Sequence, residues 1–154
     1  MTAEFETPTP EQIVKISGKH VAMMETSDAD DTWIWVGMEH LLLRTIGRRS
    51  GNEHKVALPF WRDAAGERVV VASFGGALTD PAWFLNLSDR SANPEVLVRV
   101  QGGQFWSVPD ILEEGEEHDR IWALLTEDRA WYNDYQAKTQ RTIPLVRFPQ
   151  TRPV

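Results

Sequence analysis

Basic residues crowd into one glycine-flanked turn between two apolar runs of the chain. From Arg44 to Lys55 four side chains are basic and one is acidic, inside a chain of 154 residues whose net charge is −7. Guanidinium groups bind phosphate or carboxylate in bidentate fashion, and glycines let backbone N–H groups approach such an anion. Basic side chains in a surface hairpin loop are often only solvated, so the turn alone predicts either a small-anion site or no site.

A second candidate site lies where a β-branched run ends in a pair of glycines. Between Ser73 and Ala77, a strand end, the glycine pair and a helix start place backbone N–H groups where an anion or a polarised carbonyl could bind. In the helix that follows, Asn86 comes three residues after Trp83, so a ring and an amide share one face. This arrangement suits a heteroaromatic ligand, although a plain strand-to-helix connection explains the same residues.

Two tyrosines share one face of a predicted helix. Tyr132 and Tyr135 lie three residues apart, which is the spacing of neighbours on a helix surface. A phenol can hydrogen-bond a substrate carbonyl or relay a proton, but its ordinary pKa of about 10 makes it a donor rather than a base at neutral pH. The alternative is an amphipathic packing helix with both hydroxyls in water.

Other chemistries find no support in the residues. The four histidines are scattered, with no spacing that places two metal ligands on one helix face, so we expect no metal. Ser73 lacks the glycine two places earlier that a nucleophile elbow uses. The absence of cysteine excludes disulfides, iron–sulfur clusters and cysteine nucleophiles.

The bulk composition is that of one globular domain. Hydrophobic residues make up 42% and charged residues 25% of the chain, which is ordinary for a soluble protein with a real core. The excess of acid argues against a nucleic-acid or anionic-membrane binder. An acidic N-terminus without an apolar segment, and no run of transmembrane length, predict a cytoplasmic protein with no integral membrane segment.

Short strands and a few helices have to position these residues. Thr9, Pro10 and Gln12 form the capping signal of a first helix. The run Thr79-Asp80-Pro81 predicts an N-cap followed by proline at the first position of another. Strands are predicted over residues 41–46, 56–61, 68–73, 95–100, 104–112 and 142–148, and helices from residue 10 and over residues 81–89, 113–125 and 130–138.

The predicted strands imply an α+β fold. The first three are joined by short loops and predict a meander, and a glycine pair after residue 101 predicts a hairpin. Pro144 predicts that the last strand is an edge strand or begins at that point. About six mostly antiparallel strands with flanking helices imply a small closed or split β-barrel.

Five motifs, in this order and spacing, resemble a known family. They occupy residues 42–51, 69–77, 80–87, 92–96 and 132–144. Together they are similar to the deazaflavin-dependent nitroreductases and quinone reductases, the actinobacterial enzymes that use coenzyme F420. The resemblance covers roughly Leu41 to Phe148. It implies a split β-barrel like that of FMN-binding reductases over residues 36–154, preceded by an N-terminal helical segment over residues 1–35.

The resemblance also implies which residues bind the cofactor. The phosphate and oligoglutamate tail would be held by Arg48, Arg49, Ser50, His54 and Lys55. The deazaflavin ring would be surrounded by Val56, Ala57, Leu58, Pro59, Val71, Ala72, Ser73, Phe74, Gly75, Gly76, Ala82, Trp83, Phe84, Leu85, Asn86 and Tyr132.

The implied reaction is hydride transfer from reduced deazaflavin to an electron-poor acceptor, a quinone, an enone or a nitroaromatic ring. Ser73, Tyr132 and Tyr135 are the implied catalytic residues, with the proton coming from a tyrosine or from water. Two positions depart from the family. Phe74 stands where members commonly carry lysine, which puts cofactor affinity in doubt, and Arg129 stands where some carry an aromatic residue, which puts acceptor preference in doubt.

Other interpretations stay open at this point. An FMN-binding oxidoreductase of related fold and a non-catalytic carrier of F420 or lipid would both keep the barrel. The expected partner is a small-molecule acceptor, and the chain would be a monomer or a homodimer. The N-terminal helix would either cap the pocket or make peripheral contact with the inner face of the cell membrane.

Overall fold

Two antiparallel sheets and five α-helices make up the part of the chain that the structure, a computed structural model, describes, residues 8–154. The helices are α1 Pro10–Thr26, α2 Asp30–Trp33, α3 Ala82–Ser88, α4 Glu116–Asp128 and α5 Trp131–Ala137. The strands are β1 Ile34–Trp35, β2 Met38–Ile46, β3 Glu53–Pro59, β4 Trp61–Arg62, β5 Arg68–Val71, β6 Val96–Val100, β7 Gly103–Ser107, β8 Asp110–Leu112, β9 Leu145–Arg147 and β10 Arg152–Pro153. The predicted α+β class is confirmed.

The first sheet is built around β2. This strand pairs with β3 on one side and β6 on the other, and the order continues through β7 to β10. Leu43 lies opposite Val56 in β3 and opposite Val98 in β6. The hairpin predicted across the basic turn is therefore confirmed, and so is the β6–β7 hairpin at the glycine pair.

The second sheet has the order β4-β5-β9-β8. The predicted meander of three strands is wrong, because β5 leaves the first sheet and pairs with β4 and β9. The chain changes sheets at Phe60, whose N–H donates to the Glu39 carbonyl at 2.9 Å. The strand predicted over residues 104–112 also divides, into β7 and β8 in different sheets, with Pro109 between them.

Pro144 shows why β9 begins where it does. The proline immediately precedes β9 and accepts a hydrogen bond from Ala72 N–H through its carbonyl at 2.9 Å. Since β9 lies between β5 and β8, the edge-strand alternative is wrong and the strand-start alternative is confirmed.

The helix starts agree with the sequence in one case and depart from it in two. Thr9 and Gln12 form the predicted capping box of α1. Neither Thr79 nor Asp80 caps α3, because Pro81 is itself the N-cap, in extended conformation, rather than the first helical residue. Helix α4 begins three residues later than predicted, after Gly115, whose φ of +104° is not helical.

The hydrophobic core lies between the two sheets and continues under the helices. Helix α1 packs Val21 and Met24 against Trp33, Leu42 and Ala57. Helices α4 and α5 cover the second sheet through a cluster of Val69, Ile121, Leu125, Tyr132 and Leu145. None of the helices described between residues 8 and 154 combines the length and apolarity needed to cross a bilayer.

Candidate functional site

The basic turn is a tight loop in which two side chains lie close to its first glycine. Gly47 N–H donates to Asn52 O at 2.7 Å, and Gly51 N–H donates to Gly47 O at 2.9 Å. A Cβ on Gly47 would lie 2.5 Å from Ser50 Oγ and 2.8 Å from His54 Nε2, which is closer than real Cβ contacts allow. A side chain at this position would have to displace the side chains of Ser50 and His54, which lie over the start of the turn.

Two buried asparagines fasten the turn to α3. Asn86 Oδ1 accepts hydrogen bonds from Arg48 N at 3.3 Å and from Arg48 Nη1 at 2.9 Å. Asn93 Oδ1 accepts from Ile46 N at 2.7 Å, and its Nδ2 donates to Ile46 O and Asn86 O, each at 2.8 Å. No spacing in the sequence indicates this contact between Asn86 and the basic turn, in which the amide positioned by α3 also orients Arg48.

Part of the positive charge of the turn is already neutralised. Lys55 Nζ lies 3.3 Å from both Glu25 of α1 and Glu53 of β3, and Arg44 lies 3.5 Å from Glu53. The hydrogen bond to Glu25, with that to Glu53, raises the pKa of Lys55 above its ordinary value. Arg49, in contrast, is exposed and forms no ion pair or hydrogen bond with the described residues, 8–154. Arg49 is the cation most available to a ligand.

A cavity of about 160 Å³ opens beside Lys55 on the outer face of the first sheet. Its charged lining consists of Lys55, Arg44 and Arg99 together with the carboxylates of Glu25 and Glu53. Arg99 was missed at the sequence level. Its position in β6 opposite Leu42 of β2 brings it to the same face as Arg44, and only the strand pairing shows this. Three cations against two carboxylates leave this cavity suited to anionic groups.

The loop after β5 has an unusual backbone. Phe74, Gly75 and Gly76 all have positive φ, of 46°, 66° and 83°. For phenylalanine this conformation costs on the order of 1 kcal/mol, so the surrounding structure must hold it. A Cβ on Gly76 would lie 2.7 Å from Tyr135 O, so the second glycine lets the loop pack directly on α5.

Arg141 is the side chain that holds this loop, and sequence reasoning gave it no role. Its Nε donates to Ala77 O at 2.9 Å and its Nη2 to Ser73 O at 2.8 Å. Its Nη1 lies 2.8 Å from Asp80 Oδ1 and forms an ion pair with it. The only sequence signal was its place in the last of the five motifs. Because guanidinium donors form a rigid fork, one side chain fixes three points of the loop.

The two tyrosines differ in environment. Tyr132 is 4% exposed and lies in the cluster under α4 and α5, whereas Tyr135 is half-buried. Their rings are 5.8 Å apart and nearly perpendicular. Burial raises the pKa of Tyr132 above its ordinary value, although Arg129 nearby lowers it. Tyr132 is therefore a neutral phenol at physiological pH, able to donate a hydrogen bond but not to act as a base.

The predicted ring-binding residues divide into surface and core positions. Ala57, Leu58, Trp83 and Phe84 are buried in hydrophobic clusters, and Ser73, Ala72 and Asn86 are buried as well. Ala82 and Leu85 are exposed on α3, and Val56, Pro59, Val71, Phe74 and Gly75 are half-buried. Helix α1 contacts both β3 and the Phe74–Gly76 turn, so it connects the two halves of the predicted site.

Two histidines that look unrelated in sequence meet beneath α1. His20 Nε2 donates to Thr32 O at 2.6 Å, and His40 Nδ1 donates to Met38 O at 2.8 Å. Their ring centroids are 4.8 Å apart. Burial, with smaller effects of His20 and Arg129, lowers the pKa of His40 to about 4. These two residues, 20 positions apart in the sequence, meet because α1 packs against the first sheet through Val21 and Met24.

Comparisons with known proteins agree on one group. A family model described as F420H(2)-dependent quinone reductase matches residues 16–148. An F420H(2)-dependent quinone reductase from Mycobacterium tuberculosis is 32% identical over 108 residues, covering 69% of this chain and 70% of that protein. A solved structure described as an F420-H2 dependent reductase, FDR-A, is 33% identical with a TM-score of 0.58, covering 71% of this chain and 93% of that one. Another, described as a domain-swapped dimer, is 29% identical with a TM-score of 0.61, covering 92% of this chain and 100% of that one.

Proposed function

The chain belongs to the F420H2-dependent quinone reductase family, and from this membership we infer that it reduces a quinone or a similarly electron-poor acceptor. The family predicted from the five motifs is confirmed. The protein is an oxidoreductase and its cofactor is coenzyme F420. The choice among quinone, enone and nitroaromatic acceptors is the proposed part. When bound, reduced F420 supplies the hydride, so the protein has to bind, orient and shield the reacting molecules.

The basic turn and the cavity beside it fit the anionic part of such a cofactor. Arg49 forms no ion pair or hydrogen bond with residues 8–154. Arg44, Lys55 and Arg99 line the cavity of about 160 Å³. This arrangement is the observation that carries the assignment of the tail-binding end. We propose that Arg48, Arg49, Ser50, His54 and Lys55 hold the phosphate and acidic tail, with Arg44 and Arg99 extending the same basic surface.

The loop after β5 and helix α5 suit the reacting end. Ser73 is buried where the loop begins, and Tyr132 and Tyr135 pack below the loop on α5. We propose that Ser73 orients the acceptor and that a tyrosine hydroxyl donates a hydrogen bond to the acceptor oxygen that gains negative charge. Since Tyr132 is largely closed off from solvent, Tyr135 or water is the readier source of a proton.

The same inference extends to architecture and assembly. We propose that residues 36–154 form the split barrel of the family and that residues 1–35 are an N-terminal helical segment, of which residues 1–7 lie outside the described residues. The similar structure described as a domain-swapped dimer supports a homodimer for this chain. Peripheral contact with a membrane surface remains a hypothesis.

Titration with cofactors tests the proposal directly. Oxidised F420 should bind and change its fluorescence, FMN should bind much more weakly, and reduced F420 should be oxidised when a quinone such as menadione is added. Tight FMN binding would favour the related flavin enzyme instead. Binding of F420 without turnover of quinone, enone or nitroaromatic acceptors would favour a carrier.

Charge reversal in the turn tests the assignment of the anionic end. We predict that Arg49→Glu weakens F420 binding by tenfold or more, at least about 1.4 kcal/mol, since it replaces an attractive charge with a repulsive one. Lys15→Glu makes the same change of charge on the exposed side of α1 and serves as the matched control. Equal affinities of the two variants would remove the turn from the cofactor site.

A further inference from the structure

A second cavity lies at the opposite end of the β2–β3 hairpin from the basic turn. It has a volume of about 120 Å³ and lies where the chain passes from the first sheet to the second. Trp33, Ile34, Phe60 and Val100 form its apolar walls. Glu39 and His40, at the start of β2, line it, whereas the basic turn follows Ile46 at the end of that strand. The two places are roughly 20 Å apart along β2.

Arg68 is the cation of this cavity that no carboxylate of residues 8–154 hydrogen-bonds, although Glu39 and Glu67 lie close enough to favour its charged form. Its guanidinium lies 5.6 Å from the ring centre of Phe60 and 5.1 Å from that of Phe105. Its Nε is buried without a hydrogen-bond partner, and its side chain forms no ion pair with residues 8–154. Two aromatic rings stabilise a cation but accept no conventional hydrogen bond, so the guanidinium fork keeps unused donors.

The charges of the ionisable side chains that line the cavity sum to +1. Arg62 and Glu39 form a double hydrogen bond, with distances of 3.0 Å and 3.2 Å. His40 is neutral at physiological pH because its pKa is about 4. Glu39 also faces the cavity and disfavours a ligand with several negative charges. The charge that remains is that of Arg68.

The other polar side chain at the cavity offers no spare donor. Gln101 Nε2 is occupied by Asp28 O at 2.9 Å and Asp30 Oδ1 at 2.7 Å. Trp33 Nε1 donates to Ser27 O at 2.9 Å. A ligand therefore has to place its polar end at Arg68 and its remaining atoms against the apolar walls.

We propose that this cavity is a binding site for a small monoanion with an apolar body, of the class of short-chain carboxylates. The carboxylate pairs with the two Nη groups of Arg68, which supply parallel N–H donors, since Nε is closed off from solvent. The hydrocarbon part contacts Trp33, Phe60 and Val100. A volume of about 120 Å³ admits a few carbon atoms beyond the carboxylate. The site is separate from the proposed F420 site and does not depend on it.

Butyrate and its neutral analogue butyramide are suitable probes, used with the full chain in the absence of F420. Calorimetry should show butyrate binding and weaker or no binding of butyramide. Arg68→Met should weaken butyrate binding by about tenfold or more, because a charge-assisted pair is lost. Arg120→Met, an exposed arginine on α4, is the matched control and should bind butyrate like the wild type. Arg49→Glu should also keep butyrate binding while losing affinity for F420.

A measurement on the wild type keeps the proposal testable if Arg68→Met does not fold. Magnetisation transfer from the Phe60 and Trp33 rings to the butyrate methyl group should be observed. Equal butyrate affinity in Arg68→Met, no butyrate binding to the wild type, or tighter binding of inorganic phosphate than of butyrate would each overturn the assigned ligand class.

Discussion

Asn86 and Asn93 show how single residues join distant parts of this protein. Asn93 is 1% exposed, and both ends of its amide are used, on the Ile46 backbone and on Asn86. The sequence suggested Asn86 as a ligand contact because of its spacing from Trp83. In the structure Asn86 Oδ1 already accepts hydrogen bonds from Arg48, so a ligand that contacts this oxygen would have to compete with Arg48 for it.

His40 should make stability depend on pH. Its folded-state pKa is about 4 against an ordinary 6.5, so the unfolded chain binds its proton more readily. Above about pH 6.5 His40 costs the folded protein no stability. As the pH falls toward 4 the free energy of unfolding decreases, because only the unfolded chain then gains the proton on His40. The loss should reach ~3 kcal/mol, since each pKa unit is worth about 1.4 kcal/mol.

Urea unfolding of wild type and His40→Asn measures this effect. Asparagine keeps a donor for Met38 O but does not titrate, so the variant should lose less stability between about pH 7 and about pH 4. Parallel losses in the two proteins would show that other groups dominate acid sensitivity.

At the scale of elements, α1 is attached by one face. Met24 is fully buried against the first sheet, whereas its neighbour Met23 is 51% exposed. We predict that Met24→Ala lowers the free energy of unfolding by about 2–5 kcal/mol, because it leaves a cavity. Met23→Ala makes the same change on the solvent face and should stay within about 0.5 kcal/mol of wild type.

Chemical denaturation of the two variants provides the measurement. Similar stabilities would mean that α1 is not held through this face. The result also bears on the proposed division at residue 35, since a large loss in Met24→Ala would show that α1 contributes to the stability of the sheets it packs on.

The sequence patterns predicted the positions of helices and strands better than they predicted which strands pair with each other. The capping box at Thr9, the hairpin across the basic turn and the strand start after Pro144 depend on neighbouring residues and were predictable. The change of sheet at Phe60 depends on pairing between residues far apart, which no local pattern records. The same limit applies to the site, where Arg99 and Arg141 act through partners that only the fold supplies.

At the scale of the whole molecule, the two sheets share one core. Leu43 and Val98 of the first sheet pack in the same cluster as Val70 and Val146 of the second, with Phe60 between them. A shared core predicts cooperative unfolding in a single step. Tryptophan fluorescence and far-ultraviolet circular dichroism should therefore give coincident denaturation curves. Separate midpoints would indicate that one sheet persists without the other.

The ion pair between Glu25 and Lys55 couples helix α1 thermodynamically to the cavity beside Lys55. Both side chains are more than a third exposed, so the pair contributes only ~0.2–1 kcal/mol. An anion that takes Lys55 releases Glu25 and loosens α1 by the same free energy, because coupling between two binding events is reciprocal. Binding of an anion in the cavity beside Lys55 should therefore weaken the attachment of α1. In the other direction, detachment of α1 should change the affinity for the anion by up to about fivefold.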